Sequence, residues 1–214
     1  LDGRPVRAPS RQPLRLPTRA LAEAVAAEWA AQGEDLRPDD MPITQYANTA
    51  HDQVVPNPDR IVAALLEFVD GDVLCYREPK QTDLSRHQQD HWQPLLDWAA
   101  GVLGVELAVT YSLMPLRQPI RVTTALDGAL KAMDPWALTG LQGAAAASGS
   151  LILGLALAHG RVDSETCFTL SRLDETWQMR RWGEDEETRA GRAAVRRDLA
   201  AAETLIRLSR PDEA

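Results

Sequence analysis

His87 and His91 stand four residues apart in RHQQDHW, a spacing that sets both imidazoles on one face of a helix. Two such histidines could hold zinc, as in His-Glu-x-x-His proteases. The general-base position between them is Gln88, whose amide cannot take a proton from water, and Asp90 points to another side. No third ligand is evident in the sequence. A small metal-dependent hydrolase on His87 and His91 is therefore one alternative, and an exposed polar helix face is the plainer one. His159, at a helix end, suits a favourable C-terminal charge better than a base, and His51 stands alone. Cys75 and Cys167 lie among apolar neighbours, in VLCY and ETCFTL, and behave as small hydrophobes of a reducing compartment. A thiol nucleophile needs a positive, partly exposed setting that nothing adjacent supplies. No Gly-x-x-x-x-Gly-Lys-Ser/Thr loop exists, and Ser148-Gly149-Ser150 lacks the strand and spacing of a nucleophile elbow. No cofactor is expected.

The stretch 170–187, LSRLDETWQMRRWGEDEE, carries a different chemistry. Leu170, Leu173 and Trp177 form an apolar stripe, and the helix they define should stop at Trp182 with Gly183 in a left-handed conformation. Glu184, Asp185, Glu186 and Glu187 then begin a new helix, where negative charge is favourable. Four carboxylates in one turn repel one another, with Arg180, Arg181 and Arg189 near enough to neutralise some of them. A capped helix–turn–helix and a charged contact surface both fit this pattern. Of the six tryptophans, Trp29, Trp98 and Trp177 fall at in-register core positions. Trp92, Trp136 and Trp182 adjoin polar or helix-breaking residues; each could be partly exposed at an interface, with a packed tryptophan near a helix end the plainer reading.

Composition narrows the classes. The 214 residues support one large domain or two small ones, and the formal charge of −8 argues against a general nucleic-acid binder. Residues 1–20 nevertheless hold Arg4, Arg7, Arg11, Arg15 and Arg19 against Asp2 alone. Lys80 and Lys131 are the only lysines, an arginine bias typical of a GC-rich genome. The chain opens on Leu1, so part of the natural N-terminus is expected to be absent; no secretory signal is visible.

The elements that must position these residues follow from caps and periodicity. Residues 1–17 are rich in proline, with a hairpin dipeptide at Asp2-Gly3 and a short strand candidate at Arg4-Pro5-Val6. Thr18 should cap a helix running to Gly33, and Pro42 should open a second through Tyr46 and Ala50. Asn57-Pro58-Asp59 starts a third, and the domain boundary is placed near residue 56. Further helices are expected at about 82–103, 123–134, 135–159, 163–182 and 184–208, with a strand at Val105–Tyr111. The uncharged run Ala137–Ala158 is long enough to span a membrane, but its Gly, Ala and Ser content favours a buried helix with close neighbours. The resulting expectation is an α+β protein: a small N-terminal domain of short β-strands and helices over 1–56, then a larger helical domain over 57–214.

Taken together, LDGRPVRAP at 1–9, LPTRALAEAVAAEW at 16–29, MPITQYANTA at 41–50, DVLCYR at 72–77, WQPLLDW at 92–98 and SRLDETWQMRRWG at 171–183 resemble the assembly chaperones for the alpha subunit of F-type ATP synthase, the Atp-twelve family. The resemblance runs along nearly the whole chain. It implies a protein that is not an enzyme, uses no cofactor or metal, and holds the newly made alpha subunit until it meets beta. It also implies a β-containing N-terminal domain joined to a larger helical one. The family's important glutamate, three residues after the Gly of Trp-Gly, corresponds to Glu186. Trp182, Asp185 and Glu187 beside it complete the expected client-binding set. Asp185 stands where eukaryotic members have an apolar residue, and His51 where an apolar residue is usual. A bacterial member would work in the cytoplasm, without membrane insertion; a non-chaperone helical adaptor is the remaining alternative.

Overall fold

Thr18 sets the first helix: its extended backbone leaves the hydroxyl free to accept from the Leu21 amide, and α1 (Arg19–Ala30) follows. Leu21 and Val25 are buried along one face, as their four-residue spacing requires, and Trp29 continues that face half-buried. Proline opens α2 (Pro42–Thr49), whose first turn is held from outside. Glu28 of α1 accepts from the amides of Ile43 and Thr44 and from the Thr44 hydroxyl, all at 2.7–2.8 Å. α2 widens into a π-turn at Ala50–Val54. Asn57 then caps α3 (Pro58–Leu66), and Thr82 caps α4 (Asp83–Leu103), which ends on Gly104 in the left-handed region. This computed structural model describes residues 5–79, 82–183 and 186–211 of the chain.

The centre is a helical hairpin. The uncharged run divides into α6 (Pro135–Ser148) and α7 (Leu151–Ala158), following α5 (Ile120–Lys131). Gly149, at φ 73° and ψ 19°, stops α6, and Ser150 turns the chain and caps α7 by accepting from Leu153. All eight residues of α7 are buried. Among the described residues no helix is long and apolar enough to cross a membrane. α7 folds back so closely that a Cβ on Gly154 would lie 2.8 Å from Leu141 Cδ1 and 3.3 Å from the Ala145 nitrogen. The buried-helix expectation holds, but as two short helices.

The predicted 163–182 helix also divides, into α8 (Ser164–Ser171) and α9 (Leu173–Trp182), because Arg172 leaves helical geometry at φ −111° and ψ 22°. α10 (Glu186–Ser209) then lies along α6, α8, α2 and α1. Its approach to α6 requires glycine. A Cβ on Gly140 would meet Ile206 Cγ1 at 2.5 Å and the Ala202 carbonyl at 2.9 Å, and one on Gly143 would strike the Tyr46 ring.

The expected α+β class is corrected. The described residues are helices and connections, with only two isolated bridges, Arg7 to Pro13 and Tyr76 to Thr110, and no sheet. The 105–111 segment has strand-like residues but lacks a ladder. Thr110 exchanges backbone bonds with Cys75 and Arg77, at 2.8 and 2.9 Å. Ala108 instead gives its amide and carbonyl to the side-chain amide of Gln118, at 2.8 and 3.0 Å. Side chains thus satisfy the backbone groups that a neighbouring strand would take. Near the start, the chain does double back, with Ala8 donating to Gln12 and Leu14 to Val6, both at 2.9 Å. The turn sits around residues 9–12; the predicted Asp2-Gly3 hairpin and Arg4 lie outside the described residues.

One carboxylate ties the hairpin to the rest. Asp72 is fully buried and accepts from Leu74 at 3.1 Å and from Ile152, in the first turn of α7, at 3.0 Å. Burial drives its pKa up to about 6, opposed by these hydrogen bonds.

Two predictions follow from this packing. Gly140→Ala should destabilise the protein by roughly 1–3 kcal/mol by overpacking, despite alanine's better helix propensity. Gly128→Ala, in α5 with nothing within 4 Å of the new methyl, should stabilise by about 0.4–1 kcal/mol. Urea melts of both variants read the contrast. For Asp72, the folded pKa lies above the unfolded value. Its contribution is therefore fully present below the unfolded pKa near 3.8 and is lost as pH rises through about 6. The stability difference between wild type and Asp72→Asn should fall by on the order of 2–3 kcal/mol from pH 3.5 to pH 7.5, and a pH-independent difference would refute it.

Candidate functional site

The acidic turn forms the junction between α9 and α10. α9 ends at Trp182 because Gly183 takes φ 82° and ψ 179°, a region essentially reserved for glycine, while its amide still donates to Met179 at 2.9 Å. The expected stop is thus in place, with an extended rather than a left-handed helical ψ. α10 starts at Glu186 and carries Glu186 and Glu187 in its first turn, both exposed. Arg189 approaches Glu186 at 3.8 Å across the turn, an exposed pair of small energetic weight. Glu184 and Asp185 lie outside the described residues. The junction therefore gathers Trp182, as the last residue of α9, with Glu186 and Glu187.

Beyond the junction, α10 is tied to α8 and α9 by an arginine clamp that sequence reasoning missed. Arg192 and Arg196, one turn apart on α10, both lie over the Phe168 ring of α8, at 5.0 and 4.3 Å. Arg196 pairs with Glu165 at 2.9 Å, and Arg192 reaches Glu175 of α9 at 3.6 Å and the Thr176 hydroxyl at 3.2 Å. The four-residue arginine spacing was the available signal. Without knowing that Phe168 faces it, the spacing looks like a solvated face.

A second constellation lies around α4. Trp92 is fully buried, with its indole donating to the Leu170 carbonyl at 2.9 Å, so of its two readings the packed tryptophan is the one that holds. Trp29, Trp98 and Trp177 are each half-buried rather than core, and Trp136 is half-buried as well. Arg77 stands 5.6 Å from the Trp92 ring. Gln88, the residue at the general-base position, is buried and structural: its carbonyl accepts from Glu78 and its amide donates to Asp174, both at 2.8 Å. Burial raises the Asp174 carboxyl, which the Gln88 bond partly offsets. Tyr76, Arg77, Glu78, Gln88, Tyr111 and Asp174 line a cleft of about 450 Å³.

His87 and His91 do share a helix face, with ring centroids 4.2 Å apart. His87 also packs against Trp177 at 5.4 Å, and His91 Nδ1 lies 2.9 Å from the His87 carbonyl. Burial, then the neighbouring His91 and Arg180, lower the His87 pKa. Among the described residues no group of three or more His, Cys, Asp or Glu side chains is placed to hold a metal. Cys75 and Cys167 are fully buried, and desolvation pushes each thiol up to about 12, so neither forms a thiolate near neutrality. His51 pairs with Asp52 at 2.8 Å, and His159 sits edge-on to Trp98 at the end of α7.

Comparison with known proteins gives these features a context. Residues 1–100 match the family model described as ATP12 chaperone protein. The chain is 25% identical to mitochondrial protein atp12 of Schizosaccharomyces pombe over 199 residues, covering 87% of this chain and 68% of that protein. The crystal structure of Atp12 from Paracoccus denitrificans superposes with a TM-score of 0.91 at 42% identity, covering 97% of this chain and 89% of that one. A structure from Agrobacterium tumefaciens superposes with a TM-score of 0.92 at 38% identity, covering 98% and 79%. With such identity over nearly its full length, the chain belongs to the ATP12 family, the chaperones of ATP synthase assembly whose motifs its sequence carries.

Proposed function

We propose that this protein binds the newly made alpha subunit of the F-type ATP synthase and keeps it from aggregating until alpha and beta assemble. The observation that carries this reading is family membership along nearly the whole chain. Supporting it, the two cysteines are inert and the histidine pair is packed against tryptophan rather than arranged around a reacting centre. The mode of action is holding without catalysis: a client surface bound to the chaperone is withdrawn from the aggregation-prone free population. The protein is not an enzyme in this reading. It acts in the bacterial cytoplasm, where alpha would be synthesised, without inserting into a membrane.

The client contact proposed here is the α9–α10 junction, with Glu186 at its centre and Trp182, Asp185 and Glu187 around it. An exposed carboxylate at the start of a helix is available to a client arginine or lysine, and a desolvated contact of that kind is worth about 2–5 kcal/mol when one partner is removed. The same side chain contributes little to the fold, because it is exposed and its 3.8 Å pair with Arg189 lies at the surface, where ion pairs carry small weight.

The purified protein should suppress aggregation of isolated alpha subunit at near-equal stoichiometry without nucleotide; failure to form any complex in light scattering would reject the reading. Glu186→Gln should leave the melting temperature nearly unchanged and weaken alpha binding more than tenfold, whereas Glu184→Gln should change neither. If Glu186→Gln lowers stability instead, or if both variants bind alike, the acidic turn serves as a helix start and the contact lies elsewhere.

A further inference from the structure

Arg77 sits in the wall of the 450 Å³ cleft with its hydrogen bonding incomplete. The residue is only 6% exposed. Its Nε donates to the Leu74 carbonyl at 3.0 Å and its Nη1 to Gln89 at 3.1 Å. Its Nη2 is buried with no hydrogen-bond partner among the described residues. A guanidinium cannot shed its proton, and a buried donor without an acceptor disfavours the folded state. The chain keeps this unpaired donor on a residue that lines an open cleft.

The neighbouring groups decide what kind of oxygen. Glu78 and Asp174 line the same cleft, so a free carboxylate or phosphate would meet two acids for one arginine. A neutral peptide carbonyl meets no such repulsion, and the adjoining peptide N–H finds an acceptor in Asp174, one of whose oxygens Gln88 holds at 2.8 Å. The rim is apolar and open: Leu113 is 102% exposed and the adjacent Met114 71%. Soluble proteins seldom leave two large apolar side chains in sequence so bare, and an unbranched methionine adapts to varied partners. The connection between Thr110 and Gln118 also carries its own turn bonds, Ser112 to Thr110 and Met114 to Ser112, both at 3.1 Å, which present the two side chains outward.

We propose that this cleft takes an extended segment of an incompletely folded polypeptide, its main-chain carbonyl accepting from Arg77 and an apolar side chain lying against Leu113 and Met114. This rests on the chaperone reading and adds a second contact, distinct from the α9–α10 junction, that recognises unfolded backbone rather than a particular client charge.

The test uses the full chain carrying a photo-crosslinking benzoylphenylalanine at Leu113, with the same group at exposed Leu36 as control. The probes are reduced, carboxymethylated α-lactalbumin, which stays unfolded, and isolated alpha subunit diluted from urea. Crosslinking from Leu113 to both probes, at least tenfold above Leu36, is expected. A Leu113→Asp, Met114→Asp double variant should keep its melting temperature, since both side chains are exposed, and lose capture of the carboxymethylated probe at least tenfold. Capture of that probe with no complex to alpha would support the cleft and overturn the proposed client. Alpha binding that survives the double variant within twofold, with no crosslink from Leu113, would overturn the cleft and leave the client reading standing. Failure to bind either probe would overturn both.

Discussion

The close approach of backbone to backbone at the α6–α7–α10 centre governs the rest of the structure. Gly140, Gly143 and Gly154 are the points where a methyl group would collide with Ala202 and Ile206, with Tyr46, and with Leu141 and Ala145. Each contact fixes one neighbour of α6. When helices meet through glycine, many more atom pairs come within dispersion range than across bulky side chains, and those small terms add up. The arrangement also explains the tolerance for an all-apolar α7. Its eight residues are enclosed on every side, so no face needs polarity.

Polar groups inside this protein serve as joints between elements. Asp72 links the connection after α3 to the start of α7, Glu28 holds the start of α2 from α1, and Gln88 bridges Glu78 to Asp174. In each case the acceptor or amide supplies bonds that a helix end or an extended segment leaves unsatisfied. Arg77 belongs to the same set but is incompletely served, which separates it from the purely structural joints.

Much of the helical framework was legible because its signals are local. Thr18 and Asn57 announce caps through residue type and position, and each forms the bond expected of it. The failures have non-local causes. Val105–Tyr111 looks like a strand by composition, yet Gln118 and a single bridge to Tyr76 take its hydrogen bonds, and no window of sequence reveals that. The break at Arg172 lacks glycine or proline. That arginine instead donates to the Ala147 carbonyl at 2.9 Å and pairs with Glu175, contacts visible only after folding. The burial of Trp92 was hidden for a similar reason, since its partner carbonyl on Leu170 is 78 positions away. At the acidic turn, the helix stop and restart were readable from Gly183 and the carboxylates, whereas the Phe168 clamp further along α10 was not.

The cap on α1 has a consequence for synthesis. The Thr18 hydroxyl, besides accepting from Leu21, donates to the Leu208 carbonyl near the end of α10, 190 residues later. α1 and α2 both pack on α10, so these helices leave a ribosome well before the neighbour they pack against. Contacts of such long sequence separation are made late, after the closure entropy of the whole intervening chain has been met. The packing of α1 and α2 is thus completed only once α10 is free of the ribosome.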